Sequence, residues 1–374
     1  MKESHNSDTI IFYAPVGNLT KGFKSGGAEA GCRKTIEVLR KNGYEVLLVE
    51  KPAKKSDSKL DQVILFAQLF KIWIRLIFYF VKNKNYRFHV AGFYLNQIVF
   101  EWFFIKTANL FGVKTVYEIR NGGMIEAYES RGKFYQYFMR STLLSSSMVL
   151  CQGYDYVVFL NEKFNKSSVY YPNYIMDDFV GPNNLKRGQD QVLRLIYFGR
   201  VVPDKNVDFT IDVCHKLKQL GFQINLDIIG SYEDEYYTLL SNRAADYGIK
   251  NEVIFHGRMD FKDIYKYLQL AHFFVFPSKE KREGHSNSLT EAMGCGVVPI
   301  TSTAGFNESI VNDPKLVVHE YDPALYAAAI AEIWNNKTWE SFSDKVYQRV
   351  LSNYVEKVVE KSLLSGYDLL RIKQ

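Results

Sequence analysis

Cysteine is scarce in this 374-residue chain, and the four present, Cys32, Cys151, Cys214 and Cys295, show no paired spacing and no C-x-x-C. A disulfide framework and a zinc site are therefore not expected, and a reducing compartment is the simplest setting. The first ten residues, MKESHNSDTI, are polar and lack the apolar core of a signal peptide, so the cytoplasm is the default expectation. Low-complexity tracts are missing. No recognisable nucleic-acid motif accompanies the net charge of +6.

What is there is a normal globular balance, 47% hydrophobic and 24% charged, with length enough for two domains that each bury a core. The charge is unevenly spread. Residues 1–180 hold 24 Lys and Arg against 16 Asp and Glu, net +8, while 181–374 hold 23 against 25, net −2. A basic surplus confined to the N-terminal half suits an anionic membrane surface or an acidic acceptor.

Both halves follow one plan. Residues 9–13 (TIIFY) read as a buried strand, 15–27 as a loop carrying Gly26 and Gly27, 28–42 as a helix stopped at Gly43, and 45–50 (EVLLVE) as the next strand. Strand, glycine loop, helix, strand opens a doubly wound parallel sheet, whose ligand crevice lies beyond the C-terminal strand ends. The strand at 114–119 ends in Arg120, Asn121, Gly122 and Gly123. Glu118, Arg120, Asn121 and Glu126 are thus candidates for contacting a second substrate, a salt-bridged loop being the alternative. After a polar linker at 177–190 the plan restarts: strand 193–199, loop 200–206, helix 207–220, then short apolar strands at 226–230, 253–257, 273–277 and 298–301. The expected domains are 1–180, 181–352 and a final helical segment 353–374.

The most hydrophobic segment is 63–81 (VILFAQLFKIWIRLIFYFV), with a narrow polar stripe of Gln68, Lys71, Arg75, Tyr79 and, just beyond, Lys82. Lys71 and Arg75 sit mid-segment, where each would cost about 2.5–3.5 kcal/mol in a spanning helix. Burial as a core helix is the first expectation, and shallow contact with a bilayer the second.

The stretch 276–296 (FPSKEKREGHSNSLTEAMGCG) carries Glu283 and Glu291 around the start of a short helix that begins near Ser286 or Ser288. A helix N-terminus attracts anions, so the two carboxylates can flank a phosphate that bears hydroxyl-rich groups. Ser288 and Glu291 also fit a plain capping box, with Glu291 at its third position. His285 reads as an exposed loop residue, reach into the site being the alternative. Arg200 and Lys205 precede the helix at 207–220, where cations are disfavoured by about 0.3–1 kcal/mol unless an anion lies between them. Two there suggest a bound diphosphate.

These motifs, GGAEAG at 26–31, GRVVPDKNVDFTI at 199–211, LDIIGSYEDE at 226–235, IFHGRMD at 254–260 and FPSKEKREGHSNSLTEAMGCGVVPI at 276–300, resemble the retaining nucleotide-sugar-dependent glycosyltransferases of family 4. The resemblance covers the C-terminal half and the first fifty residues. It implies the GT-B fold, two Rossmann-like domains facing across a cleft, with the last helix returning to the N-terminal domain. It further implies that Arg200 and Lys205 hold the donor diphosphate with backbone N–H groups at Gly26, Gly27, Asn287, Ser288 and Leu289. Glu291 would bind ribose, Glu283 the donor sugar, and the backbone at Arg258 and Met259 the base. The donor would be UDP- or GDP-linked and the acceptor a saccharide, lipid-linked by analogy, at the cytoplasmic membrane face in bacterial surface polysaccharide assembly. No D-x-D motif is evident, so neither metal nor resident cofactor is expected. An epimerase on the same fold and a non-catalytic nucleotide-sugar-binding subunit are the rivals. One departure stands out: many members of the resembling family carry a histidine after the strand where this chain has Glu118 to Gly123.

Overall fold

The apolar runs become strands because they are short and rich in β-branched or aromatic residues, and the central ones are buried on both faces, as parallel pairing requires. The computed structural model describes all residues except 1–7, 18–26, 53–57, 84, 93, 94, 96, 177–191, 281, 373 and 374. The described chain divides into two units, 1–172 with 360–374, and 173–359. The glycine loop at Gly26 and the polar segment 177–190 lie outside the described residues.

In the N-terminal unit the strands are β1 (Thr9–Ala14), β2 (Glu45–Glu50), β3 (Arg87–Gly92), β4 (Lys114–Ile119), β5 (Met148–Cys151) and β6 (Val169–Tyr170). They pair in parallel in the order β2-β1-β3-β4-β5-β6. The helices are α1 (Gly27–Lys41), α2 (Lys59–Lys82), α3 (Ile98–Leu110), α4 (Met124–Ser130), α5 (Lys133–Ser145) and α6 (Tyr154–Phe164).

The C-terminal unit holds β7 (Val192–Phe198), β8 (Gln223–Ile229), β9 (Val253–Gly257), β10 (Phe273–Phe276), β11 (Val298–Ser302) and β12 (Val317–Val318). Its helices are α7 (Val207–Gln219), α8 (Asp234–Asp246), α9 (Phe261–Leu268), α10 (Asn287–Gly294), α11 (Asn307–Val311), α12 (Pro323–Asn335) and α13 (Trp339–Asn353). The strand order is β12-β11-β10-β7-β8-β9, again all parallel. The chain winds outward one way from β7 through β8 and β9, then returns to β10 on β7's other side. The loops leaving β7 and β10 are therefore neighbours, and between them lies the switch point where doubly wound sheets bind ligands. The last helix, α14 (Glu356–Ile372), joins the N-terminal unit from Glu360 onward, with Gly366 against Met148 and Val169. An alanine Cβ at 366 would come within 2.6 Å of the Met148 sulfur, so close helix approach requires the glycine.

One expectation fails. Helix α2 is not a core helix: only Leu69, Leu76 and Phe80 are buried, and Val63, Phe66, Phe70, Ile74, Phe78 and Val81 face solvent. The physical reason is its neighbour. Helix α3 offers α2 a single seam, marked by the Trp73 indole donating to Thr107 Oγ1 at 3.1 Å, and a seam of residues about seven apart buries one stripe of a helix only.

Candidate active site

The site is built from two loops. Strand β7 ends at Phe198 and passes through Gly199, whose φ of 140° favours glycine, to Arg200. The chain then makes a short 3-10 turn, Pro203–Lys205, and enters α7 through Asn206 in the left-handed conformation, which asparagine tolerates better than most residues. Strand β10 ends at Phe276 and delivers Ser278, Glu280 and Glu283 beside it. Leu195 pairs with Phe273 and Ile196 with Phe274, so the adjacent strands bring the two loops together.

Their side chains form one cluster. The Lys205 ammonium bonds the Glu283 carboxylate and lies 2.6 Å from Glu280 Oε2. The Arg200 guanidinium donates to Glu280 Oε2 at 3.1 Å, and the Ser278 hydroxyl to Glu283 Oε2 at 2.8 Å. Burial would raise the Glu280 carboxyl, but Lys205 and Arg200 outweigh it and hold the group below the usual carboxylate range. The anion that the two cations were expected to need is thus supplied by the protein itself. Exposure grades the cluster: the Glu283 side chain is 9% exposed, Lys205 10%, Glu280 29% and Arg200 63%. Its inner half is fixed and its outer half opens to water.

Two backbone features hold Glu283 in place. The Ser278 carbonyl accepts from Ser302 Oγ at 2.7 Å and Tyr321 OH at 2.8 Å. Gly305, at φ 58°, lies so near the Glu283 backbone that a Cβ would come within 2.0 Å of its carbonyl oxygen.

Helix α10 starts one motif earlier than the capping box at Ser288 allows. Ser286 is the N-cap, its hydroxyl accepting from Leu289 N at 3.4 Å, so Leu289 has its N–H partnered within the protein. Glu291 then falls in the second turn, where a box with Ser288 does not form. A helix of eight residues is marginal by itself, and burial of Leu289, Ala292 and Met293 holds it. Asn287, Ser288 and Glu291 are half-buried. A Cβ on Gly199 would lie 3.9 Å from Ser288 Oγ, which puts the start of α10 beside the loop after β7. Arg258, exposed, and Met259 follow β9 at the same end of the sheet.

His285 is buried, which corrects its reading as an exposed loop residue. Its ring stacks edge-on against Tyr354, its carbonyl accepts from Asn173 Nδ2 at 2.8 Å, and burial pushes its pKa down to about 3. The loop turns inward because Tyr354 offers an aromatic wall.

Glu118 and Arg120 do not present themselves as acceptor contacts. Both are buried in the N-terminal unit, 2.7 Å apart, and Glu118 also meets His89 Nε2 at 3.1 Å. Arg120 bonds Thr35, and a Cβ on Gly31 would strike its guanidinium. His89 Nδ1 is 2.8 Å from the Tyr367 hydroxyl. Burial keeps His89 below its ordinary pKa, and Arg120 and His89 outweigh burial to hold the Glu118 carboxyl low. Burial and the missing alternation of polar residues along β4 explain the outcome: the strand is covered on both faces, so a charge near its end is paired internally. Asn121 uses its carbonyl to accept from Tyr156 OH at 2.6 Å, and Glu126 is exposed on α4. Gly27 opens α1. Among the described residues, no three His, Cys, Asp or Glu side chains gather as a metal-binding set.

Three partners escaped sequence reading. Glu280 was hidden in the charge run before Glu283, and Ser278 had no motif around it. His89 meets Glu118 from the neighbouring strand, a juxtaposition that only the β3–β4 pairing creates.

The family model for Glycosyl transferases group 1 matches residues 185–349. A Bacillus subtilis protein described as the uncharacterized glycosyltransferase YqgM is 28% identical over 139 residues, 37% of this chain. Protein CapJ of Staphylococcus aureus is 30% identical over 97 residues, 26% of this chain. The chain spans 38% and 24% of the lengths of these two curated relatives. Among solved structures, Anabaena HepE in complex with UDP is similar over 96% of this chain and 99% of its own, with a TM-score of 0.68 at 13% identity. The fold is therefore the two-domain α/β GT-B fold.

Proposed function

We propose that the protein is a retaining, metal-independent glycosyltransferase of family 4, moving a sugar from a nucleotide-sugar donor to a lipid-linked saccharide acceptor in bacterial surface polysaccharide assembly. The observation that carries this reading is the cluster of Arg200 and Lys205 with Glu280 and Glu283 at the switch point of the C-terminal unit. Two cations gathered there match a diphosphate in charge, and Glu280, the more exposed carboxylate, stands where the phosphate oxygens would go.

Cleaving an anomeric C–O bond builds positive character on the sugar and negative charge on the departing diphosphate. Arg200 and Lys205 then bind more strongly as the bond breaks, which lowers the barrier. Glu283, kept in position by Ser278 and by Gly305 behind it, faces the donor sugar, and Glu291 the ribose. The base rests on backbone near Arg258 and Met259. The departing phosphate oxygen takes the acceptor's proton, so no protein base is required for attack from the leaving-group side. The HepE complex with UDP makes UDP the first donor nucleotide to try, and the likeness to CapJ is in keeping with a role in bacterial surface polysaccharide assembly.

A thermal-shift screen against UDP-, GDP-, ADP- and CMP-sugars tests the reading. One donor at about 100 times its dissociation constant is expected to stabilise the fold by about 2.7 kcal/mol. No shift with any nucleotide-sugar would contradict it.

A further inference from the structure

Helices α2, α3 and α5 lie side by side in the N-terminal unit, linked by the ring pairs Phe66–Phe100, Trp73–Phe103 and Trp102–Phe138. Their outer surface is apolar to a degree unusual for a protein exterior. Helix α2 is long and apolar enough to cross a membrane, yet 17% of its most apolar window is buried. Phe78 is 68% exposed, and Phe134 on α5 is 73% exposed.

Charge on this surface is predominantly positive. The three helices carry Lys59, Lys71, Arg75, Lys82, Lys106, Lys133 and Arg140, all exposed. Their acidic residues are Asp61 and Glu101, and Glu101 is buried against Lys51 and Tyr117. At 100° per residue, Val63, Phe70, Ile74, Phe78 and Val81 fall within an arc of about 80°, and Lys71, Arg75 and Lys82 border that arc on one side. An apolar arc edged by cations is the pattern of a helix lying in a membrane interface, where rings and aliphatic side chains enter the acyl boundary and ammonium and guanidinium groups meet lipid phosphates.

We propose that the α2–α3–α5 face docks, in the plane of the membrane, on an anionic bilayer. A second copy of the chain is a poorer occupant, since a two-fold interface over this arc would set Lys71, Arg75 and Lys82 against the same three cations. A spanning arrangement is poorer too, because Lys71 and Arg75 sit mid-helix and Leu69, Leu76 and Phe80 are already packed inside the unit. The face lies on the N-terminal unit, so vesicle binding is independent of the donor cluster of the C-terminal unit.

Cosedimentation of the full chain with phosphatidylglycerol-containing vesicles and with pure phosphatidylcholine vesicles tests it. Binding to the anionic vesicles that weakens with salt and is released by alkaline carbonate is expected. Lys71→Glu with Arg75→Glu should lower the partition coefficient by about 25-fold or more, at roughly fivefold for each cation removed. Val63→Asp with Phe78→Asp, at positions that make little internal packing, should lower it similarly while the melting temperature and UDP-induced shift stay at wild-type values. Three outcomes overturn the proposal: equal binding to both vesicle types, retention through carbonate extraction, or no vesicle binding, in which case a dimer that Val63→Asp with Phe78→Asp dissociates would assign the face to a second copy.

Discussion

The Glu118 cluster of the N-terminal unit and the Lys205 cluster of the C-terminal unit use the same materials, a carboxylate and a cation at or just past the ends of parallel strands. They differ in closure. Glu118, Arg120, His89, Thr35 and Tyr367 bond one another and are all buried. In the other cluster Lys205 and Glu283 are buried, while Glu280 and Arg200 reach water. A closed cluster fixes strands and helices in place. An open one has a carboxylate that a stronger anion can displace, so burial of the last partner, rather than the presence of an ion pair, separates structure from site.

The largest expected effect sharpens the closed side. Arg120→Ala leaves Glu118 buried without its cation and should cost about 3–5 kcal/mol in urea unfolding. A loss below 1 kcal/mol would show that water reaches Glu118. Next comes the open side's inner carboxylate. Glu283→Gln should lower kcat by roughly a hundredfold, about 2.7 kcal/mol, with a smaller change in UDP affinity. Equal losses in both would assign Glu283 to the loop's structure.

Acid separates a third feature. His285 has a folded pKa of about 3 against an ordinary 6.5, so the native ring stays neutral while the unfolded one takes a proton. Its contribution is present above pH 6.5 and is lost as pH falls toward 3, at up to about 1.4 kcal/mol per pH unit. His285→Gln should flatten stability against pH across that window, and a slope identical to the wild type between pH 6 and 5 would refute the burial. The smallest effect concerns displacement. Glu280→Gln removes the competing charge and should tighten UDP binding roughly threefold, about 0.6 kcal/mol; weaker binding would mean that Glu280 helps to hold the ligand.

The doubly wound plan was legible because apolar strands, glycine stops and helical periodicity repeat twice along the chain, and strand order then dictates which loops meet. Arg200, Lys205 and Glu283 could be singled out because the first two are cations in an unfavourable place. Nothing local to the chain reveals that Glu118 and His89 meet, because that follows from sheet register, or that His285 folds inward, because Tyr354 lies nearly seventy positions later. The apolar arc of α2 was visible as a pattern. Its exposure was not, since periodicity shows that a helix has a face and leaves open what covers it.

UDP titration calorimetry on the wild type, Arg200→Ala and Lys205→Ala, at one pH and salt, tests most directly the claim that the open cluster is a diphosphate site. Arg200 is largely exposed, so its removal should leave stability nearly unchanged. Each charge-assisted hydrogen bond lost should weaken UDP by about 1.5–3 kcal/mol, roughly 10- to 150-fold, and Lys205→Ala by at least as much as Arg200→Ala. UDP affinity equal to the wild type in both folded variants would contradict the account.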